Sequence, residues 1–530
     1  MKSSITSSLL TATIATAFSL SACSADSSSK GGADASTGSG NGGGLGTGGA
    51  TSTGGRAGGG GLGTGGATSM GGSAGGGGVG RGGATSTGGS ADSGAMSSVD
   101  GGKLPASRCA PDESAPVPAG RCTTDPNNTT VPQCNKWLKV EIPGTVCGDG
   151  SQYKFFVNYS DKSNDLVVDF EPGGACWDYP SCAGTGGIRG AANPHGIPDD
   201  HMTTYQFLNL LQRTDQNPAK DYNMVFLSYC TGDIHTGNNV ITYTDTDGYD
   251  GGSSSPGNSP ADAGPALTFH HAGHANTMAV IDWMKKTFGM VPKMLVTGCS
   301  AGGAGAIINY HFVRKGMGNN VQCSYLLDDS GPIFHSDGPS AQLDAKVRSA
   351  WNVDPILDSL GAELPISAAD IKKDFGLLNK AIAEKYSSDR LALTLFRMDL
   401  NYSLYSYQRF FPNQSEADIH AKWWQDIQSL LPTYDAEPNL FYYIPYFRSD
   451  NCSHCVSIPP IGNPPIEPLD QTKALTQSWS GSEIPEDHVD LKQFTADLLD
   501  DPKPLRSYLQ QVEPNESFAP AVSAACMEGG

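Results

Sequence analysis

The sequence predicts an α/β domain: a mostly parallel sheet with helices on both faces, a helical cap insertion, and a glycine-rich N-terminal segment that cannot fold. Three observations carry this. Short apolar runs of strand length recur at 153–159, 166–170, 224–229, 294–297, 325–327, 391–396 and 441–444. Helical periodicity stands between several of them, as over 274–289, where Met278, Ile281, Met284 and Phe288 repeat every three to four positions. Strands alternating with helices favour parallel pairing, because a parallel neighbour is reached by a crossover. The third observation is the most specific. An apolar run at 293–296 leads into Thr297-Gly298-Cys299-Ser300-Ala301-Gly302-Gly303, and a helical pattern over 304–312 follows at once.

The chain opens with material outside that domain. Residues 1–22 read as an export signal: Lys2, an apolar-to-small stretch over 5–20, then Leu20-Ser21-Ala22 ahead of Cys23. A small residue directly before that cysteine is what lipid attachment needs, so Cys23 is the expected lipidation site; the alternative is an ordinary secretory signal cut nearby. The stretch is too short and too rich in serine and threonine for a permanent spanning helix. Residues 23–103 hold 33 of the 67 glycines and no aromatic side chain. Burial cannot offset the entropy of ordering such a segment. It repeats with a period of 17: Leu45-Gly46-Thr47-Gly48-Gly49-Ala50-Thr51-Ser52 recurs from Leu62 and, altered, from Val79. One apolar residue per repeat leaves nothing to stack. A flexible tether with a reach of about 50 Å is expected. It would hold the domain at 104–530 off a bacterial envelope membrane, the outer one by preference, or the protein would be secreted.

That domain is long enough for one large core with insertions. The net charge of −20 lies almost entirely in it, which makes nucleic acid and anionic lipid poor partners. A monomer is expected. With Cys23 assigned to lipid, the other twelve of 13 cysteines all lie beyond residue 108. An even number in an exported chain reads as disulfides. Cys176 and Cys182, which bracket a short loop, are the expected pair. Residues 109–147, rich in Pro, Asn and Thr, read as a stapled lead-in. Residues 233–265 read as a surface loop. Residues 338–388, with Trp351, Leu357, Leu360 and Ile371, read as helices inserted between strands, a cap over the site.

The strand–turn–helix at Ser300 is the context in which Gly-x-Ser-x-Gly marks a nucleophile elbow of the α/β-hydrolase type. Its serine sits on a strained turn, and Gly298 and Gly302 remove side chains that would collide there. An accidental serine in a chain this rich in glycine is the bland alternative; the flanking strand and helix weigh against it. A serine nucleophile needs a base, and the base needs a carboxylate. His454, beyond the strand at 441–444, is the expected base. His420 reads as a solvated helix face and His488 as surface loop. Asp399, after the strand at 391–396, is the expected acid. Asp329, after 325–327, is the rival, although a carboxylate so close behind the elbow strand also suits bonding to loop N–H groups. The oxyanion needs backbone donors. Ala301, directly after the serine, supplies one, and the turn Glu171-Pro172-Gly173-Gly174 after 166–170 is suited to supply another. Zinc at Cys452-Ser453-His454-Cys455 is disfavoured, because three donors at cramped spacing lack a partner pair. Disulfides holding the histidine loop are the ordinary use of those cysteines.

Glu171-Pro-Gly-Gly-Ala-Cys-Trp177, Tyr229-Cys-Thr-Gly-Asp233, Gly298-Cys-Ser-Ala-Gly-Gly303 and Asp329-Ser-Gly331, in this order, resemble the pectin acetylesterase/Notum family of serine carboxylesterases. The likeness covers residues 153–335, extends more loosely to 457, and touches nothing before Cys109. It implies an α/β-hydrolase fold, no metal or other cofactor, and removal of acyl groups from oxygen: acetyl from polysaccharide, or a fatty acyl group from a signalling protein in Notum. By position it implies Ser300 as nucleophile, Gly174 and Ala301 as oxyanion donors, Gly173 as the residue shaping the turn, and Asp399 and His454 completing a triad. Two departures stand out. Cys452-Ser453-His454 is one residue shorter than the family's element, and aromatic positions of the family's turn are Gly174 and Ala175 here, which implies a different acyl pocket. The expected protein is an exported, lipid-anchored serine esterase that deacylates polysaccharide. A fatty-acyl or polyester hydrolase, and a non-catalytic carbohydrate-binding lipoprotein, are the alternatives.

Overall fold

The structure, a computed structural model, describes residues 102–103, 105, 109–183, 190–203, 209–245, 264–447, 453–458 and 484–511. The signal, lipidation, tether and repeat readings fall outside the described residues, as does Cys452.

Among those residues a nine-stranded sheet runs in the order β1-β2-β4-β3-β7-β8-β9-β10-β11. Its strands are β1 (Trp137–Val146), β2 (Gln152–Asn158), β3 (Leu166–Phe170), β4 (Asn223–Leu227), β7 (Val291–Cys299), β8 (Val321–Asp329), β9 (Arg390–Thr394), β10 (Leu440–Ile444) and β11 (Tyr508–Leu509). Every pairing from β4 to β11 is parallel; only β1 with β2 and β2 with β4 are antiparallel. β3, β4 and β9 are buried at every residue, so both faces of the sheet are covered. This is the predicted α/β-hydrolase-like architecture.

The helices are α1 (Tyr179–Cys182), α2 (Gly273–Thr287), α3 (Ala301–Met317), α4 (Ala341–Trp351), α5 (Asp354–Glu363), α6 (Ala368–Lys373), α7 (Leu377–Lys385), α8 (Leu400–Tyr407), α9 (Glu416–Ala436) and α10 (Leu491–Leu498). α4 to α7 lie between β8 and β9, as expected of the insertion. α3 packs on β7 and β8, and burial of Ile307, Tyr310 and Val313 fixes that face.

Two expectations need revision. The lead-in is stapled, by Cys109–Cys323, Cys122–Cys134 and Cys147–Cys230, yet it also supplies a full sheet strand, β1, paired antiparallel with β2 from Trp137↔Asn158 onward. The supposed surface loop contains β5 (Asn239–Tyr243), which pairs with β6 (Leu267–His271) in a separate two-stranded sheet. At the head of that segment Asp233 is fully buried. It accepts hydrogen bonds from Thr231 Oγ1 at 2.6 Å and from the first N–H of α2, on Gly273, at 2.8 Å. The expected Cys176–Cys182 disulfide is present. Lys103 pairs with Leu505 and sends its ammonium to the carbonyls of Tyr434 and Asp435, each at 2.9 Å.

Candidate active site

Register brings the carboxyl ends of the central strands to one level. Phe170 on β3 faces Gly298 on β7, Cys299 faces Asp329 on β8, and Asp329 faces Thr394 on β9. The loops leaving these ends carry the residues singled out above, at the edge where open α/β sheets place their chemistry.

Ser300 stands between β7 and α3 with φ 56° and ψ −121°, a conformation that strains any residue with a Cβ. Its N–H donates to Asp329 O at 2.7 Å. The flanking glycines are a packing requirement: a Cβ on Gly298 would sit 2.7 Å from Phe170 O, and one on Gly302 would overlap the same carbonyl. Without side chains there, the elbow presses against the end of β3. Ala301 is the first residue of α3, so its N–H is one of four that no helical carbonyl can reach.

After β3 the chain turns through Gly173 (φ 141°) and Gly174 (φ 59°), values that favour glycine. Gly173 O accepts from Ala192 N at 3.0 Å. The Gly174 N–H belongs to the same trans peptide unit and therefore points away from Ala192. Beneath the turn lies Glu171, fully buried. Its carboxylate accepts from Tyr229 N (2.6 Å) and Asn193 Nδ2 (3.0 Å) and lies 2.9 Å from His201 Nε2. Burial opposes the His201 cation, but the Glu171 charge outweighs it and raises the pKa. Burial pushes His235 down to about 4, so it is neutral and donates through Nε2 to Glu171 O at 2.9 Å. Tyr229 Oη donates to Gly174 O at 3.0 Å. In the sequence Glu171 and Tyr229 stand only as letters of the motifs, and no local pattern marks this supporting role.

Asp399 follows β9 through a turn tied to the end of β10 by Arg397 N to Pro445 O and Met398 N to Tyr446 O. It is fully buried and caps α8. Its Oδ1 accepts from Tyr402 N at 2.7 Å, and its Oδ2 lies 2.7 Å from His454 Nδ1. A helix N-terminus suits a carboxylate charge. Asp329, the rival, instead meets the backbone just past the histidine: Oδ1 accepts from Val456 N and Oδ2 from Ser457 N, both at 2.9 Å. Cys455, next to His454, is disulfide-bonded to Cys299, next to Ser300. Both sequence neighbours of the candidate nucleophile and base are thus covalently joined.

Cys299, His454 and Cys455 place ligand-type atoms within 4.8 Å of one another, as do Cys176, Cys182 and His271. In each trio both sulfurs belong to a disulfide, so neither offers thiolates, and a single imidazole remains. His420 is not on a solvated face. It is 5% exposed, lies 3.1 Å from Ser403 Oγ on α8, and burial lowers its pKa against the pull of Glu416. His488 is exposed, as expected.

A cavity of about 100 Å³ lies under the cap. Its wall includes Ala175, beside Gly174, and Ala304, one helical turn from Ser300. Tyr402 also lines it, with its ring 6.2 Å from that of His454. Val347, Leu357 and Phe375 of the cap line it as well.

Comparison with curated proteins gives no match. Among solved structures, two crystal forms of the Wnt deacylase Notum from Drosophila align at 14% identity with a TM-score of 0.47. They cover 71% and 72% of this chain and 96% and 98% of their own. The pectinacetylesterase family pattern matches residues 133–425, more than half of the chain, and spans the Gly173-Gly174 turn, the Ser300 turn and Asp399. The chain belongs to the pectinacetylesterase family of carboxylesterase-type hydrolases.

Proposed function

We propose that this protein is an exported serine esterase that removes short acyl groups, acetyl first among them, from O-acylated polysaccharide through an acyl-enzyme. The observation that carries the reading is the 2.7 Å contact between His454 Nδ1 and buried Asp399, on the sheet edge that also holds strained Ser300. With Nδ1 bound to Asp399, Nε2 would take the Ser300 proton. Ser300 Oγ then attacks the ester carbonyl, and the Gly174 and Ala301 N–H groups receive the oxyanion. His454 returns the proton to the leaving alcohol, and water, activated by the same imidazole, clears the acyl group.

Acyl length follows from the cavity. A cavity of roughly 150 Å³ holds benzene, so one of about 100 Å³ has room for about four carbons. That room favours acetyl to butyryl over a fatty chain. Membership of the pectinacetylesterase family supports the polysaccharide class. Five disulfides among the described residues suit an extracellular setting, and Cys23 with the glycine-rich tether would keep the domain within reach of bulky polymer. Acetate release from acetylated pectin, xylan and chitin, measured beside chromogenic esters from acetyl to palmitoyl, tests the reading. Turnover should peak at or below butyryl and vanish in Ser300→Ala. A folded Ser300→Ala protein with substantial turnover contradicts it.

A further inference from the structure

Asp329 is the residue on which three loops converge. Its carbonyl takes the Ser300 N–H at 2.7 Å, so its backbone fixes the nucleophile turn. The next residue, Ser330, donates its N–H to Thr394 O at 2.7 Å, at the end of the strand that leads to Asp399. The Asp329 side chain, 1% exposed, turns to the histidine loop. Oδ1 accepts from Val456 N at 2.9 Å and from Ser330 Oγ at 3.1 Å; Oδ2 accepts from Ser457 N at 2.9 Å and Ser457 Oγ at 2.5 Å. Ser330 Oγ in turn accepts from Cys455 N at 3.1 Å. Three consecutive N–H groups after His454 are therefore held by Asp329 or by the hydroxyl bound to it.

The two N–H groups can only donate, and the two hydroxyls can turn to donate as well, so the arrangement suits an acceptor-only group, the ionised carboxylate. Burial works against that ionisation and raises the Asp329 pKa, while the hydrogen bonds of Ser457 and Val456 oppose the rise. A buried carboxylate with three of its four bonds directed at one short loop is costly unless that loop must be held in place. We propose that Asp329 is a positioning residue: it fixes the backbone of 455–457 and so aims the His454 ring, held by Asp399 on its other side, at Ser300. The proposal rests on His454 acting as the base.

Asp329→Asn supplies the test, because an amide turns a donor toward N–H groups that need an acceptor. With 4-nitrophenyl acetate, kcat and kcat/KM should fall together by about 10–100-fold, the scale of a small misplacement of a catalytic group. Amide exchange of the peptide at 453–458 should quicken in the folded variant. Ser457→Ala, which removes one donor of the four, should lose a smaller factor, and Ser457→Thr, which keeps the hydroxyl, should recover it. Folded Asp329→Asn with kcat within about twofold of the parent overturns the proposal; should that variant not fold, the same result in Ser457→Ala overturns it. Ser300→Ala in the same assay separates the two readings. If it stays active, the esterase assignment fails; if it is inactive while Asp329→Asn is unimpaired, only the positioning role fails.

Discussion

Asp344 shows how a single residue couples the cap to pH. It lines the cavity from α4, where Ser336 Oγ donates to it at 3.1 Å. Burial pushes its pKa up to about 7; the Ser336 bond opposes this, while nearby Asp426 and Asp374 add to it. In the unfolded chain it returns to the ordinary carboxylate value of 3.8. The folded state therefore holds the proton that the unfolded state has lost, and stability falls as pH rises from about 4 through 7. Asn cannot ionise, so it escapes that loss. The melting temperature of Asp344→Asn relative to the parent should climb between pH 5 and pH 8; a difference that stays flat would show that Asp344 titrates as an exposed carboxyl. His235, bonded to Glu171 O, carries the opposite sign: its pKa of about 4 makes the neutral ring the folded form, and acid costs stability there.

Among the elements, the cap lines the proposed acyl cavity. Val347 on α4 is buried and, like Ala304 of α3, borders the cavity. Val347→Phe should fill that end and lower kcat/KM for a butyryl ester by about tenfold or more, about 1–3 kcal/mol per methylene being typical of such pockets, while the acetyl ester changes little. Equal losses on both esters would place the acyl group elsewhere. The elbow was legible in the sequence because its chemistry is local: serine, flanking glycines, a strand before and a helix after. Strand β1 was hidden although Leu138, Val140 and Ile142 alternate with Lys139 and Glu141, because the Cys- and Pro-rich context around it favours irregular chain. β5 was hidden by its Gly/Ser/Asp-rich surroundings. His420 was misread because Glu416, Asp418 and Lys422 mark α9 as charged, and only the packing of α8 against it buries the ring. The clasp of Asp329 on residues 456–457 joins positions more than a hundred residues apart, and no local pattern reports it.

At the scale of the whole molecule, membrane attachment through Cys23 is proposed from the sequence at 20–23. If Cys23 carries lipid, Cys23→Ala should move the protein from the membrane fraction to the soluble exported fraction without changing the turnover of the domain. A parent protein that is already soluble after export would remove the anchor from the account. The central claim is narrower, that Ser300 carries the acyl group in an intermediate served by His454 and Asp399. Its most direct test is acid quenching within the first turnovers on 4-nitrophenyl acetate, followed by mass mapping of the peptides. The account predicts the added mass of one acetyl group on the peptide containing Ser300, lost on longer incubation and never formed in Ser300→Ala or His454→Ala. An acetyl group mapped to another residue, or full turnover by Ser300→Ala, would contradict it.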